Sequence, residues 1–428
     1  MSIPGFKRLF TMGLSWVMIV FAAGSAFGAG DEDTLKRLEQ LIARQQAQIE
    51  AQARAIEDLR KQVQALSRTS AQKPVAAAAA APAEKVVQSS SDKVSVRLYG
   101  QVNRGVLYTD DGNDTYLYHV DNDNSSTRVG LIGKGRVNSD IQAGTKIEVE
   151  FQANDSNLVN QNLQNGAGSN NFKKRHLDLF FESKKFGKLS LGWGDTASNG
   201  TSEVDLSGTS VIGYSSVADM AGGHIFFDGN TGSLSTTTIG DVMSNMDGLG
   251  RDDRIRYDTP KFYGFTASVS NVSGSGNDVA LWYGAQLGTL KLAGAAAYAD
   301  PVSTSSVENQ LNGSISALHS SGFNLTLAAG SRDFKAAGRN DGTFYYGKLG
   351  YKRQFFPVGV TALALDYGRF DEIAVNDDEA DAFGAMVVQD FSKWGTEYYL
   401  GYRNHQLDRT GADFKSIDAV LTGFRVKF

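Results

Sequence analysis

The end of the sequence, FKSIDAVLTGFRVKF, alternates strictly between two kinds of side chain. One face stays apolar or aromatic to the last residue and consists of Val420, Thr422, Phe424, Val426 and Phe428. The other face carries small, aliphatic and basic residues. Period-two alternation is typical of a β-strand whose two faces meet different media. Because an unpaired edge strand this apolar promotes aggregation, we expect it to pair with the first strand of a closed barrel and to face lipid.

The same alternation recurs throughout residues 94–428. About sixteen segments show it, with about 21 residues for each strand and its connection, which suits tilted spanning strands of roughly 10 residues. Short turns alternate with longer polar loops, and aromatic residues lie near strand ends at Trp193, Tyr257, Phe262, Tyr263, Trp394, Tyr398 and Phe428. These positions suit an interfacial girdle and do not suit a soluble β-sandwich, the alternative fold. The sequence therefore predicts an all-β fold, a transmembrane antiparallel β-barrel of about 16 strands.

Composition narrows the functional classes. The chain has no Cys, which excludes a disulfide framework and a thiolate metal site. Its net charge of -5 argues against a nucleic-acid partner, and no apolar run approaches the roughly 20 residues of a spanning helix. The loop acids Asp110, Asp111, Asp121 and Asp123 lack the spacing of a dedicated calcium loop, so solvated surface is favoured over Ca²⁺ binding beside lipopolysaccharide. No cofactor and no metal site are expected.

Residues 1–28 have the layout of a secretory signal peptide. Two basic residues, Lys7 and Arg8, precede an apolar stretch over residues 9–21, and Ala26 and Gly28 offer small residues for cleavage. A short retained anchor is the alternative. Export of this kind predicts a periplasmic or outer-membrane location in a Gram-negative cell.

Residues 31–68 predict a short coiled coil in the periplasm. Apolar and Gln side chains recur at heptad spacing and form a seam of Leu35, Leu38, Ile42, Gln45, Ile49, Gln52, Ile56, Leu59, Val63 and Leu66. Two consecutive Gln layers lower stability but specify register. A three-stranded coil is favoured over a dimer, and a single amphipathic helix would have no surface to lie on.

Residues 69–93 predict a linker. Pro74 and Pro82 bracket a run of alanines, and a Ser-rich stretch follows. This composition suits a tether and offers no core, so the barrel domain is expected to cover residues 94–428.

The longest connection, at about residues 195–250, is predicted to have a function of its own. A loop of this length is usually functional or disordered. It is acidic, and its apolar middle consists of Val211, Ile212, Tyr214, Ile225, Phe226 and Phe227. We expect the loop to fold into the barrel and narrow the lumen; a mobile external flap is the alternative.

Several stretches resemble the Gram-negative general porin family, namely VRLYGQVNRGVLYTDDG, STRVGLIGKG, FGKLSLGWGDT and DRIRYDTPKFYGFTASVS, together with the terminal Phe428. The most specific of them is RIRYDTPKFYGF. The resemblance covers residues 94–428 and implies a sixteen-stranded trimeric pore whose third external loop folds inward and sets acids against a basic wall. The N-terminal coil is similar to the helical extensions of DcaP-type porins, which implies reinforcement of the trimer or contact with the cell wall.

The resemblance also implies a pore constriction. Its loop acids would be Glu203, Asp205, Asp219 and Asp228. Strand parity then turns Arg97, Arg128, Lys146, Arg254 and Arg256 toward the lumen as the basic wall. For each of these cations, a structural ion pair with an inward acid such as Glu148 is the alternative. Arg175 shares the parity of outward leucines, so it is expected at the rim and outside the wall.

These features predict an outer-membrane porin, a water-filled channel for passive diffusion of ions and small hydrophilic solutes. Opposed charges at a narrow neck would impose a transverse field on passing solutes. Two alternatives remain: a substrate-preferring channel, and a structural tether that joins the outer membrane to peptidoglycan through the coil. The five His residues offer no nucleophile–base set, so no enzyme is predicted. The expected partners are two further copies of the chain, outer-membrane lipid and lipopolysaccharide.

Overall fold

The computed structural model describes Arg54 and residues 94–168 and 172–428. The predicted signal peptide, the linker and, apart from Arg54, the predicted coiled coil lie outside the described residues. No helix among these residues is long and apolar enough to cross a membrane.

The described chain consists almost entirely of β-strands. They are β1 Val94–Asp110, β2 Thr115–Asp121, β3 Arg128–Arg136, β4 Ile141–Glu150, β5 Lys173–Ser183, β6 Gly187–Asp195, β7 Ile225–Asp228, β8 Ser233–Thr238, β9 Arg251–Asp258, β10 Phe265–Val272, β11 Gly276–Leu287, β12 Leu290–Asp300, β13 Val307–His319, β14 Phe323–Phe334, β15 Gly342–Phe356, β16 Gly359–Asp371, β17 Glu379–Phe391, β18 Thr396–Asp408 and β19 Ile417–Lys427. All of them except β7 and β8 belong to one antiparallel sheet.

The sheet closes on itself between its first and last strands. β1 pairs with β19 from Gln101 opposite Lys427 to Asp110 opposite Asp418, and Phe428 exchanges two backbone hydrogen bonds with Gly100. One end of β1 pairs with β3 and the other with β2, so these two strands share a single position. The result is a closed barrel with sixteen strand positions, as predicted from the alternation. Closure leaves no strand edge unpaired, which a bilayer requires.

Side chains alternate across the wall as the sequence analysis predicts. On β16, Leu363, Leu365 and Tyr367 point outward and are exposed, while Ala362 and Ala364 point inward and are buried. The connections β3–β4, β5–β6, β9–β10, β11–β12, β13–β14, β15–β16 and β17–β18 are short and lie at the end of the barrel that carries Val94 and Phe428, which we call the short-turn rim. Exposed aromatics surround this rim, including Phe186, Phe262, Tyr263, Phe323 and Trp394, which is the arrangement of an interfacial girdle.

One inward projection interrupts the wall between β2 and β3. Residues 122–127 leave the sheet and contain a single 3₁₀ turn, Asp123–Ser125, in which the Asn122 side chain accepts a hydrogen bond from the Asn124 N–H at 3.1 Å. The sequence analysis treats Asp110, Asp111, Asp121 and Asp123 as solvated loop surface, and this is wrong for Asp111 and Asp121, which are buried. Asp121 is buried at the end of β2, and Asp123 accepts a hydrogen bond from Gln152 at 2.5 Å. This break is not predicted from the sequence, because the alternation of side chains in the neighbouring strands continues unchanged.

The connection between β6 and β9, residues 196–250, is called loop 3 here. It contains the hairpin β7–β8 and one helical turn, α1 Ile239–Val242, closed by a capping box between Thr238 and Asp241. Its buried apolar side chains belong to one cluster with inward side chains of β1, β2 and β15–β19. The loop members of this cluster are Val211, Ile212, Val217, Met220, Ala221, Phe226, Ile239, Val242, Met243 and Met246. Loop 3 therefore occupies one sector of the lumen as packed core.

Gly401 on β18 allows the closest approach of loop 3 to the wall. A Cβ at this position would lie 2.6 Å from Cγ1 of Ile212, a distance that real contacts do not reach. Because Ile212 is fully buried, it has no room to move away. We therefore expect side chains at residue 401 to push the loop from the wall.

Substitution of Gly401→Val is expected to loosen loop 3 by overpacking, at a cost of about 1–3 kcal/mol. The folded variant should be cut by a soluble protease within residues 196–250 faster than the wild type, while the barrel still resists unfolding in detergent gels. Gly347→Val is the matched control, because its Cβ would meet only Leu327 at 3.7 Å. Equal cleavage of both variants and the wild type would contradict this packing role.

Candidate pore constriction

The first part of loop 3 is held to the wall by polar side chains that face the lumen. The backbone N–H groups of Val204 and Leu206 donate to Ser314 and Ser316 at 2.9 and 3.0 Å. The Ser198 N–H donates to Asp278 at 2.7 Å. These serines lie two residues apart on β13, so one inward face of one strand binds successive residues of the loop. The loop is positioned by backbone contacts as well as by its apolar cluster.

A buried ion pair fixes loop 3 against β15. The ammonium of Lys348, fully buried, lies 2.7 Å from Asp205 and donates to Thr209 at 3.0 Å and to the carbonyl of Gly213 at 2.6 Å. Burial opposes ionisation of Asp205, but the Lys348 ammonium outweighs it and holds the pKa of Asp205 below its ordinary value. Asp205 was predicted as a constriction acid; its charge is neutralised inside the loop–wall contact.

Four other carboxylates form an acidic group on the lumen side of loop 3. Glu203, Asp219 and Asp247 belong to the loop and Asp123 to the 3₁₀ turn, and their charges interact with one another. Neutral donors hold them: Asn245 donates to Glu203 at 2.9 Å, and the Tyr214 hydroxyl donates to Asp219 at 2.6 Å. Within the described part of the chain, none of the four forms an ion pair. The members Asp123 and Asp247 were not among the predicted site residues.

These carboxylates resist ionisation. Desolvation and neighbouring acids raise the pKa of Asp123 to about 8, and desolvation raises the pKa of Asp219 to about 6. The pKa values of Glu203 and Asp247 are raised by desolvation as well, that of Glu203 strongly. The acidic group is therefore partly protonated near neutral pH, and its charge changes in the physiological range.

A basic group meets the acidic one at the 3₁₀ turn. Ser125 lies two residues after Asp123, and its hydroxyl accepts hydrogen bonds from Arg425 at 2.7 Å and from Arg128 at 3.4 Å. Arg425 is also paired with Glu397 at 2.5 Å. Arg128 is half-buried and has no carboxylate within ion-pair distance in the described residues. The sequence analysis named Arg128 and missed Arg425, although Arg425 lies on the inward face of the final strand.

Arg175 belongs to this basic group, and its predicted place at the rim is wrong. Its guanidinium lies 2.7 Å from Glu148 and 2.5 Å from Glu150, two inward residues of β4. The register of β4 against β5 shifts between Glu148 and Val149, and Arg175 is the residue that the pairing skips. This β-bulge turns Arg175 to the lumen although Leu177 faces outward. A parity argument counts residues and misses one extra residue in a strand.

The remaining predicted wall cations have separate positions. Lys146 is half-buried and, among the described residues, has no ion-pair partner. Arg254 is buried against Asp178 at 2.6 Å. Arg256 pairs with Asp258 at 2.8 Å and donates to the carbonyl of Thr196 at 2.6 Å, which holds the start of loop 3. Arg97 lies near the short-turn rim over the ring of Tyr99.

Asp228, the fourth predicted loop acid, lies apart from the other acids. It belongs to the β7–β8 hairpin and accepts hydrogen bonds from the backbone of Asn230 and Asp413. It therefore joins the hairpin of loop 3 to the connection between β18 and β19. The structure brings Glu203 and Asp219 together and leaves Asp205 and Asp228 in structural contacts.

This geometry defines a class of protein: a membrane-spanning β-barrel channel narrowed by an internal loop with opposed charges. A sequence profile of the Gram-negative porin family matches residues 71–410. The chain belongs to that family and is a channel-forming porin of the outer membrane. Among proteins of curated function, none matches the sequence.

Solved structures show the same fold at low sequence identity. The anion-selective porin from Comamonas acidovorans superposes with a TM-score of 0.54 at 18% identity, over 78% of this chain and 100% of that one. OmpF of Salmonella typhi, in complex with daunomycin, gives 0.52 at 12% identity over 79% and 98%. The trimer form of OmpT from Vibrio cholerae gives 0.50 at 14% identity over 79% and 100%.

The ion selectivity of the pore is expected to depend on pH. A carboxyl with a raised pKa is neutral below that pKa and negative above it, so raising the pH from about 5 to about 9 adds negative charge at Asp219 and Asp123. Lys and Arg keep their charge over this range because their ordinary pKa values lie above about 10. The reversal potential under a KCl gradient should shift toward cation selectivity as the pH rises. The double variant Asp123→Asn/Asp219→Asn should flatten this shift; a wild-type profile independent of pH would contradict it.

Proposed function

We propose that the constriction between the acidic and basic groups is the selectivity filter of a diffusion pore for ions and small hydrophilic solutes. One observation carries the proposal: Asp123 and Ser125 lie on a single helical turn, with the loop acids on one side and arginines on the other. Fixed charges of opposite sign beside a narrow path create a transverse field, which orients polar solutes and disfavours apolar ones. Because these charges are fixed in position, the proposed filter needs no movement of the protein while a solute passes.

We further propose that most charged residues of the wall form structural ion pairs and that two cations, Arg128 and Lys146, determine the ion selectivity of the pore. Arg175, Arg254, Arg256 and Arg425 each have a carboxylate within 2.8 Å. Arg128 and Lys146 have none within ion-pair distance in the described residues. Charges without a nearby counter-charge dominate the field that a permeating ion meets.

The selectivity proposal predicts that Arg128→Gln/Lys146→Gln shifts the pore toward cations. In planar bilayers under a tenfold KCl gradient, the reversal potential should move by about 10 mV or more, out of the roughly 59 mV of an ideally selective pore. Lys335→Gln/Arg353→Gln removes two charges outside the constriction and should leave the potential unchanged. Equal shifts in both variants would overturn the filter, and silence from folded, inserted protein would overturn the open pore.

We also propose that the chain functions as a homotrimer, with the predicted coiled coil in the periplasm. The heptad seam of residues 35–66 favours self-association, and the related fold of OmpT has a trimer form. The short-turn rim would then face the periplasm, because the first barrel strand begins at Val94 on that rim and the predicted coil precedes Val94 in the chain.

Deletion of residues 31–68 tests both roles of the coil. If the coil reinforces the trimer, the deleted form should dissociate to monomers at a lower temperature in detergent gels, while single-pore conductance is kept. If the coil binds peptidoglycan, sedimentation with purified cell wall should be lost in the deleted form. Unchanged trimer stability and unchanged recovery with the cell wall would exclude both roles.

A further inference from the structure

A second polar cavity lies in the barrel between the start of loop 3 and the short-turn rim. Its volume is about 760 Å³, and inward side chains of β6 and β9–β11 line it together with two short turns. The constriction residues Glu203, Asp219, Arg128 and Arg175 do not contribute to it. A solute that has passed the constriction therefore meets a separate compartment before it leaves the pore.

The fixed charges around this cavity do not cancel. Each lining carboxylate has a cation close by: Asp258 pairs with Arg256 at 2.8 Å, Asp195 with Arg251 at 2.7 Å, and Glu182 with Lys134 at 3.8 Å. Three further lining residues are Lys184, Lys188 and Lys261. None of these three ammonium groups forms an ion pair in the described part of the chain. The cavity therefore carries an excess of positive charge.

An aromatic side chain supplies the apolar part of the same cavity. Trp282 on β11 faces the lumen and is half-buried, and its ring packs on Ala197, Ala280 and Ala297. Because alanines support one side, the remaining indole surface is exposed to the cavity. Lumen walls of β-barrels are otherwise polar, and burying flat apolar surface against an indole is favourable.

We propose that this cavity is a binding site for small organic anions that carry a flat, aromatic ring. The ring of the solute contacts Trp282, and its carboxylate or other acidic group lies among the ammonium groups of Lys188 and Lys261. The proposal rests on the chain being a solute-conducting pore and names a solute class that this pore retains. Retention at the exit side raises the local concentration of such anions relative to inorganic ions.

Three fluorinated probes separate the two parts of the site. 4-Fluorobenzoate has a ring and a charge, trifluoroacetate has only the charge, and 4-fluorobenzamide has only the ring. Binding to the full-length protein in detergent is measured by broadening of the ¹⁹F resonance, with empty micelles as the reference. We expect 4-fluorobenzoate to bind more tightly than either of the other probes, because only this probe uses both contacts.

Substitutions then assign the contacts. Lys188→Gln/Lys261→Gln should weaken 4-fluorobenzoate about tenfold, a loss of about 1.4 kcal/mol. Trp282→Ala should weaken 4-fluorobenzoate and leave trifluoroacetate unchanged. Lys185→Gln/Lys393→Gln removes the same charge from the same rim outside the cavity and should have no effect on binding. Heat-modifiable migration in detergent gels verifies that each variant is folded.

Three outcomes would overturn the site: equal broadening of all probes, an equal loss in the control lysine variant, or no effect of Trp282→Ala. The binding measurement needs no ion flow, so it can fail while KCl conductance in bilayers is normal. In that case the pore stands and the site is rejected. Normal binding without conductance would instead reject the open pore and leave a solute-binding barrel.

Discussion

The inner face of this barrel wall has two sectors. One sector packs apolar side chains against loop 3, and the other presents polar side chains to the lumen. Many inward residues of β15–β19 are apolar, including Phe344, Phe370, Leu407 and Ile417, and these share one buried cluster with the loop. Inward residues of β10–β14 instead include polar ones that bind the loop backbone, namely Asp278, Asn312, Ser314 and Ser316. This division of the wall places loop 3, and the position of loop 3 decides where the acids Glu203, Asp219 and Asp247 lie.

Two irregularities of the strands build the constriction. The break between β2 and β3 projects Asp123 and Ser125 into the lumen, and the bulge in β5 turns Arg175 inward. A regular strand would place these side chains in alternation along the wall. Irregularities of this type aim a side chain where alternation does not allow, and they occur at barrel rims and functional sites.

Pairing of charges separates structural from solute-facing residues. Lys348 with Asp205 and Arg403 with Asp366 are buried pairs, and removing one partner would leave an uncompensated buried charge. Such pairs contribute little to the field in the pore. Arg128, Lys146 and the partly protonated acids form no ion pair among the described residues, and the proposed filter assigns the action on solutes to them. The lysines of the second cavity, nearer the short-turn rim, likewise form no ion pair among the described residues.

The sequence by itself determined the barrel. Period-two alternation depends only on local backbone geometry, so the strand positions, the closure through residues 417–427 and the inward directions of Arg128 and Lys146 could all be derived from it. Only the tertiary structure decided the site. The partner of Arg254, the burial of Asp205 by Lys348 and the meeting of Asp123 with Glu203 depend on contacts between residues far apart in the chain. The β-bulge at Arg175 turns this side chain to the lumen. The alternation within β5 does not predict the bulge, because the bulge is a property of the pairing between β4 and β5.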